Sequence, residues 1–354
     1  MCNTISKALA RLASLGSGAL PNEPVTIRGW GRDEEIDVRV DIHHHLVPPG
    51  YANLLVRPGQ EKSPYFAEVM SWTPQRAIER MDSVGIDTAM TSVVGAGGWP
   101  EGPTLFPQFM RESNEFAARV ALDYPGRFGV FAGVPLPFVD ASLVEIGYAL
   151  DKLSADGLCV YTSYAGIRLG DPRFDPVMEE LNRRSAVVFI HPVGSPDLEK
   201  LVPGLAVGFT ELVFETARTI ASLLFNGAFA RFPKIRFIFP HGGGALPVLT
   251  ERWNLLGKSD ERYAAYMPNG VAAELARHHY DLATIATPKM YEAVRAFAPI
   301  DRLLLGTDYP LLDIGSTGRG LGGIALSDDE TNAINHRNAE RLFPRLVAPS
   351  SNRM

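Results

Sequence analysis

The sequence has little cysteine and no long apolar run, and both absences limit what the protein can be. It holds two cysteines in 354 residues, Cys2 and Cys159, so neither a disulfide framework nor a zinc–thiolate site can plausibly be assembled. That scarcity fits a reducing compartment, and we expect a cytoplasmic protein. No apolar run reaches about 18 residues, so we expect no membrane-spanning helix.

Basic charge and nucleotide-binding motifs are also scarce. The formal net charge is −6, from 34 Lys and Arg against 40 Asp and Glu, and no basic cluster stands out. We therefore expect neither nucleic acid nor an anionic membrane as a partner. Two glycine-rich stretches, residues 95–98 and 315–323, lack the Lys-Ser/Thr of a phosphate loop and are interpreted as mobile lid segments. No organic cofactor is expected.

What the chain does have is an alternation of short β-rich runs with amphipathic runs. This alternation predicts parallel strands joined by crossover helices, and eight strand-then-helix units are the count of a (β/α)8 barrel. The weakest strand is the seventh, flanked by His278 and His279, which we interpret as structural. The predicted strands cover residues 38–43, 88–94, 128–135, 157–162, 186–191, 235–239, 279–282 and 302–306. Among the predicted helices, a long one covers residues 210–229 and the last covers residues 328–342. We expect one barrel domain over residues 38–345 after an N-terminal leader of residues 1–37.

A histidine triplet ends the first predicted strand. The apolar run that begins at Val38 leads into His43, His44 and His45, and Pro48 stops the strand soon after. Side chains two residues apart in a strand point the same way, so His43 and His45 share a face while His44 points away. Two imidazoles that converge at a strand end can bind one metal ion. The alternative is a polar turn that happens to be rich in histidine.

Three further polar residues follow other predicted strands: His191 ends the fifth, His241 follows the sixth, and Asp308 follows the eighth. In a (β/α)8 barrel the active-site residues project from the C-terminal ends of the strands, so we expect these side chains to meet His43 and His45 at one rim. Each also has a plainer explanation: a hydrogen-bonded histidine, a tight glycine-rich turn after His241, or a helix N-cap at Asp308.

Three imidazoles and one carboxylate form the donor set of a catalytic zinc site, with room left for water or substrate. Zinc fits this set best, and manganese is the alternative for a mixed imidazole–carboxylate site.

Four motifs carry a family resemblance. They are Asp41-Ile42-His43-His44-His45, Phe189-Ile190-His191-Pro192, His241-Gly242-Gly243-Gly244-Ala245-Leu246-Pro247 and Gly306-Thr307-Asp308-Tyr309-Pro310. At these residues the chain resembles the amidohydrolase-related family (amidohydrolase 2) typified by aminocarboxymuconate-semialdehyde decarboxylase, with the motifs in family order. Within that family, the segments at residues 43–49, 153–157 and 181–184 look most like 6-methylsalicylate decarboxylases.

The resemblance implies that His43, His45, His191 and Asp308 hold a divalent metal and that His241 acts as the acid/base beside it. It implies a decarboxylase of a small ortho-hydroxy aromatic acid, and a homodimer or tetramer. We expect Asp308 to protonate the ring carbon that bears the carboxylate, with His241 orienting or relaying that proton. The same five residues also suit a metal-dependent hydrolase of a lactone, an amide or a carbon–carbon bond, which the motifs do not separate.

The substrate contacts are less constrained. Arg57, Arg76 and Arg168 are all candidates for the arginine that binds the substrate carboxylate in the family. Trp72 and Trp99 fall in or beside loops at the same end of the barrel, where they could sandwich an aromatic ring. The alternative for both tryptophans is packing in the core or in a lid.

Overall fold

A computed structural model describes residues 38–51, 64–94, 102–194 and 196–346. Its framework is one parallel sheet of eight strands arranged in chain order, which confirms the predicted (β/α)8 fold. The strands are β1 Val40–Leu46, β2 Thr88–Val93, β3 Phe128–Gly133, β4 Gly157–Tyr161, β5 Val187–His191, β6 Arg236–Phe239, β7 His279–Asp281 and β8 Leu303–Leu304. The predicted leader lies outside the described residues, and a single domain over residues 38–345 stays a prediction.

Backbone hydrogen bonds between β1 and the segment after β8 close the sheet into a barrel. The Asp308 N–H donates to the His43 carbonyl at 2.7 Å, and the His45 N–H donates to the Tyr309 carbonyl at 2.7 Å. The two-residue strand β8 is therefore extended by an irregular segment that continues the closure. That segment brings Asp308 beside the histidines of β1.

Helices connect the strands in the order that the sequence predicts. The helix Pro74–Ser83 begins where the Thr73 side chain accepts a hydrogen bond from the Arg76 N–H, with proline at the first helical position. The helices are α1 Pro64–Met70, α2 Pro74–Ser83, α3 Leu105–Asp123, α4 Val139–Asp151, α5 Asp175–Arg183, α6 Pro196–Glu199, α7 Glu211–Phe225, α8 Ala228–Arg231, α9 Leu246–Gly257, α10 Glu261–Tyr266, α11 Val271–Leu275, α12 Pro288–Arg295, α13 Ser316–Leu321, α14 Asp328–Asn332 and α15 Asn338–Leu342.

Two long helices expected from the sequence are interrupted. The expected helix over residues 210–229 is divided into α7 and α8 at Gly227, whose φ of 73° is left-handed and suits glycine. The expected helix over residues 328–342 contains a π-helical turn, Ala333–Arg337, between α14 and α15. The structure also contains α1, in a stretch where the sequence pattern predicts no helix. Among the described residues, no helix has the length and apolar character needed to cross a bilayer.

An aromatic layer lies beneath the histidines inside the barrel. The rings of Phe131 and Phe189 stack with centroids 5.3 Å apart, and Phe189 contacts the His43 ring at 5.0 Å. Parallel strands covered by helices are buried on both faces, and here every residue of β5 is buried. The polar side chains at the strand ends therefore pack against a buried, apolar barrel interior.

Candidate metal centre

A β-bulge in β1 determines which way its histidines face. The register with β2 shifts between Asp41 and His44, so two residues of β1 stand opposite one residue of its neighbour. In a regular strand, residues three apart face opposite sides, but across this bulge Asp41 and His44 come within hydrogen-bond distance. His43 and His45 face together on the other side, with their Nε2 atoms 3.2 Å apart.

Four buried side chains converge at the ends of β1 and β5 and in the segment after β8: His43, His45, His191 and Asp308. One donor atom from each lies within 4.8 Å of the donor atoms of the other three. Asp308 Oδ1 is 3.3 Å from His43 Nε2 and 3.1 Å from His45 Nε2. The His191 and His45 ring centroids are 4.6 Å apart. The structure therefore brings these four residues together, and their role as metal ligands stays a prediction.

The nitrogen atoms of the histidines test whether this cluster fits a metal ion. His191 is 3% exposed, yet neither of its ring nitrogens has a hydrogen-bond partner among the described residues. Leaving a buried imidazole nitrogen unpaired is costly, and metal coordination would satisfy one of the two. His43 and His45 bond through Nδ1 to Asp281 at 2.9 Å and to Ser92 at 3.1 Å, and both turn Nε2 toward the cluster. Such outer partners are typical of histidine ligands.

Burial and neighbouring charges shift the pKa values of the cluster in opposite directions. Burial opposes protonation of His43, but the carboxylates of Asp281 and Asp308 raise its pKa to about 10. Burial lowers the pKa of His45, and burial with the neighbouring imidazoles holds the pKa of His191 well below its ordinary value. Burial opposes ionisation of Asp308, yet the charge on His43 and hydrogen bonds from two histidines hold its pKa well below the usual range. A divalent ion would displace a proton from His43 and would itself compensate the negative charge of the Asp308 carboxylate.

His241 lies beside the cluster on a left-handed turn after β6. Its φ is 54°, and the three glycines that follow also have positive φ, which they adopt without a Cβ penalty. His241 Nε2 is 3.8 Å from Asp308 Oδ2, while Nδ1 is 3.2 Å from the Ala283 carbonyl. A carbonyl only accepts, so Nδ1 carries the hydrogen, and Nε2 is left facing Asp308.

Asp281, which was not among the predicted site residues, contacts both the four-residue cluster, through His43, and the turn that carries His241. It ends β7 and is fully buried. Its Oδ2 atom accepts from His43 Nδ1 at 2.9 Å, and its Oδ1 atom accepts from the N–H groups of His241 and Ala283 at 3.1 and 3.0 Å. The signal that could have found it is the one that selected Asp308, a carboxylate at the C-terminal end of a barrel strand. The weak pattern of β7 obscured that signal.

A second buried pair lies on the opposite side of β1. His44 Nδ1 donates to Asp41 Oδ2 at 3.0 Å, and the Thr307 hydroxyl donates to the same oxygen at 2.6 Å. Asp41 Oδ1 accepts from the N–H groups of Thr307 and His43 at 3.0 and 3.1 Å. Asp41 therefore ties β1 to the residue immediately before Asp308.

Of the two tryptophans predicted to contact a substrate ring, the structure describes Trp72. Trp99, like the predicted carboxylate-binding Arg57, lies outside the described residues. Trp72 is buried, and its ring packs against a phenylalanine of α3 with centroids 6.3 Å apart. Contact between Trp72 and a substrate stays a prediction.

The two described arginine candidates are already paired. Arg168, in a short hairpin after β4, donates to Glu215 at 2.7 Å. Arg76 donates to Glu68 at 2.9 and 3.1 Å. A substrate carboxylate would have to compete with these acidic partners, and substrate binding by Arg168 or Arg76 stays a prediction.

Fold and side-chain cluster together define a class of protein, a (β/α)8 barrel with three histidines and one aspartate gathered at the ends of its strands. A family model described as "Amidohydrolase" (Amidohydro_2) matches residues 40–345. The chain belongs to this amidohydrolase family, as the sequence motifs predict.

Named relatives narrow the activity class. Decarboxylase yanB from Aspergillus niger is 32% identical over 334 residues, which cover 89% of this chain and 90% of that protein. The 6-methylsalicylic acid decarboxylase acuB from Aspergillus aculeatus is 31% identical over 327 residues, which cover 89% of this chain and 98% of that protein. These relatives confirm the predicted decarboxylase class.

A solved structure adds a likeness of fold. It is 5-carboxyvanillate decarboxylase from Novosphingobium aromaticivorans, with bound manganese. The TM-score is 0.77 at 20% identity, over 87% of this chain and 97% of that one.

Proposed function

We propose that the protein is a metal-dependent, non-oxidative decarboxylase of a small ortho-hydroxy aromatic acid of the 6-methylsalicylate type. The observation that carries the proposal is the position of the Asp308 carboxylate. Its Oδ1 atom faces His43 and His45 at 3.3 and 3.1 Å, and its Oδ2 atom is 3.8 Å from His241. Relatives named for 6-methylsalicylic acid support the substrate class.

Proton delivery follows from this position. Decarboxylation without an organic cofactor needs a proton at the ring carbon that bears the carboxylate, because protonation there breaks the ring conjugation. Asp308 passes to that carbon a proton that it first accepts from His241, and the electrons of the carbon–carbon bond return to the ring as carbon dioxide leaves. His241 takes up this proton from solvent at Nε2 and gives it to Asp308, since the bond from Nδ1 to Ala283 keeps the ring turned toward the carboxylate.

His43, His45, His191 and Asp308 are the proposed metal ligands. A bound divalent ion would hold the substrate carboxylate and its neighbouring hydroxyl in one orientation. Zinc suits three imidazoles and a carboxylate, and the manganese in the 5-carboxyvanillate decarboxylase structure makes manganese the alternative. Metal analysis of the purified protein should find close to one ion per chain, and reconstitution with each metal separates the two candidates.

The proposed assembly is a homodimer or tetramer. Val248 and Leu255 lie two turns apart on one face of α9, and 77% and 74% of their surfaces are exposed. Large apolar side chains grouped in this way support association with another chain. Sedimentation analysis should give a mass of two or four chains, and a monomer at micromolar concentration would contradict this part of the proposal.

The substrate class is tested with a small panel of acids. We expect the metal-loaded protein to release carbon dioxide from 6-methylsalicylate, salicylate or 2,6-dihydroxybenzoate, and not from 3-hydroxybenzoate, which lacks an ortho hydroxyl. In heavy water the product should carry one deuterium at the carbon that lost its carboxylate. Turnover of lactones with no carbon dioxide from any ortho-hydroxy acid would favour a hydrolase instead.

A further inference from the structure

Asp281 is a fully buried carboxylate for which the proposed chemistry has no use. It gives no atom to the four-residue cluster, and its nearest histidine contact is with the far side of the His43 ring. The distance from Asp281 Oδ2 to His43 Nδ1 is 2.9 Å. A buried charged group without a task would be costly, so this contact needs an explanation.

The contact fixes where His43 carries its hydrogen. A carboxylate accepts and cannot donate, so the nitrogen that faces Asp281 must be the protonated one. The other nitrogen, Nε2, then presents its lone pair to the cluster, where Asp308 Oδ1 lies 3.3 Å away. Only this tautomer of neutral His43 can bind a metal ion through Nε2.

The orientation of Asp281 is itself determined by the backbone. Its Oδ1 atom accepts from the N–H groups of His241 and Ala283 at 3.1 and 3.0 Å, which leaves Oδ2 for His43. Space for the pair is left by Gly306, because a Cβ at that position would lie 2.9 Å from the Cβ atoms of both Asp281 and His43. A real Cβ is essentially never found that close to another atom, so a glycine is needed there.

We propose that Asp281 is a positioning residue that holds His43 in the Nδ1–H tautomer and so makes its Nε2 atom available to the metal. This inference rests on the proposed metal centre. It assigns to a residue outside the cluster part of the affinity of the cluster for metal. Carboxylates that orient a histidine ligand in this way typically contribute 10–100-fold in metal affinity.

Asp281→Asn separates this role from simple packing, because the two side chains have nearly the same shape. The amide oxygen must face the two backbone N–H donors, which places the NH₂ group against His43 Nδ1. His43 can then accept only at Nδ1, and its hydrogen moves to Nε2, where it blocks the metal. We expect zinc affinity to fall about 10–100-fold, measured by competition with a chromophoric chelator.

Asp41→Asn is the matched control. Asp41 is equally buried, its Oδ1 atom also accepts two backbone N–H groups, and its Oδ2 atom also accepts from a histidine Nδ1. That histidine is His44, which faces away from the cluster. We expect the Asp41→Asn protein to bind zinc with an affinity close to that of the wild type, whatever its loss of thermal stability.

Nitrogen NMR of ¹⁵N-histidine-labelled protein reads the tautomer directly. We expect a hydrogen on His43 Nδ1 in the zinc-loaded wild type and none in Asp281→Asn. Wild-type protein without that hydrogen, or Asp281→Asn with unchanged zinc affinity, would overturn the inference. If wild type binds zinc but decarboxylates no ortho-hydroxy acid, the proposed function fails and this inference stands. If Asp281→Asn does not fold, the Nδ1 hydrogen of the zinc-loaded wild type decides, and a wild type that binds no zinc overturns both the proposed metal centre and this inference.

Discussion

Two histidine–carboxylate pairs in and around β1 are alike in chemistry and differ in direction. His43 Nδ1 bonds to Asp281 at 2.9 Å, and His44 Nδ1 bonds to Asp41 at 3.0 Å. All four side chains are fully buried, and in each pair the second carboxylate oxygen accepts two backbone N–H groups. The residue types and their hydrogen-bond partners therefore do not show which pair belongs to the candidate metal centre and which pair is structural.

What separates the pairs is the environment of the other ring nitrogen. His43 Nε2 lies 3.2 Å from His45 Nε2 and faces the Asp308 carboxylate. His44 Nε2 has no hydrogen-bond partner in the part of the chain that the structure describes, and its ring packs on the Tyr309 ring with centroids 5.0 Å apart. The first pair orients His43 Nε2 toward the other candidate metal ligands. The second pair connects β1 to the segment after β8 through the hydrogen bonds between Asp41 and Thr307.

The largest expected difference is between His43→Asn and His44→Asn. In both variants the asparagine NH₂ can replace the Nδ1 donor to the carboxylate, and only the Nε2 side of the ring is lost. We expect His43→Asn to lose bound zinc and all measurable decarboxylation. His44→Asn should keep close to one zinc per chain, because no cluster atom depends on its Nε2. Metal analysis and carbon dioxide release on the two purified variants provide the measurement.

Thermal melting serves as the control for this pair of variants, since both remove a buried ring and should lower the melting temperature. Loss of zinc from both variants at similar stability would mean that the two faces of β1 are not distinct. Retention of zinc by His43→Asn would remove His43 from the proposed ligands.

His241→Asn is expected to have a smaller effect than His43→Asn, because it leaves both histidine–carboxylate pairs intact. Its side-chain NH₂ can still donate to the Ala283 carbonyl, but no basic nitrogen then faces Asp308. We expect zinc content to stay close to that of the wild type and kcat to fall about 10²–10⁴-fold, the usual contribution of a positioned acid or base. Loss of stoichiometric zinc would instead indicate that His241 is a ligand.

Strand alternation predicted the face of the histidines but could not predict the bulge. Strict alternation places Asp41 with His43 and His45, whereas the structure pairs Asp41 with His44 across the bulge. A bulge depends on how two neighbouring strands align, and that information is not contained in one strand. The long-range position of Asp308 was predictable, because the barrel rule places every strand end at one rim.

The contact between β7 and β1 could not be predicted from the sequence either. The strand has three residues, and its end carries Asp281 as a partner of His43, 238 positions away in the chain. Local pattern could indicate that a strand exists there, but not that its last residue bonds to the first strand. Contacts that depend on the closed barrel become visible only when the closure is known.

Thr307→Val tests the contribution of the Asp41–His44 pair to stability. The Thr307 hydroxyl donates to the buried Asp41 carboxylate at 2.6 Å, and hydrogen bonds to charged groups contribute about 1.5–3 kcal/mol. We expect the free energy of unfolding to fall by about 2 kcal/mol in urea titration, with zinc still bound. Thr307→Ser keeps the hydroxyl and should recover most of that loss. If the serine variant is no more stable than the valine variant, the hydrogen bond is not the cause.

At neutral pH the smallest effect is expected at His279, a buried histidine of β7 outside both pairs. Burial, with the charge of Arg302, lowers its pKa to about 4 from an ordinary 6.5. The folded protein therefore takes up this proton less readily than the unfolded chain, so the contribution of His279 to stability is complete above pH 6.5 and is lost as the pH falls toward 4. Between pH 7 and pH 5 this amounts to about 2 kcal/mol. His279→Gln should remove this difference between pH 7 and pH 5 from the free energy of unfolding measured by urea titration. An unchanged pH dependence would mean that other groups cause the loss of stability in acid.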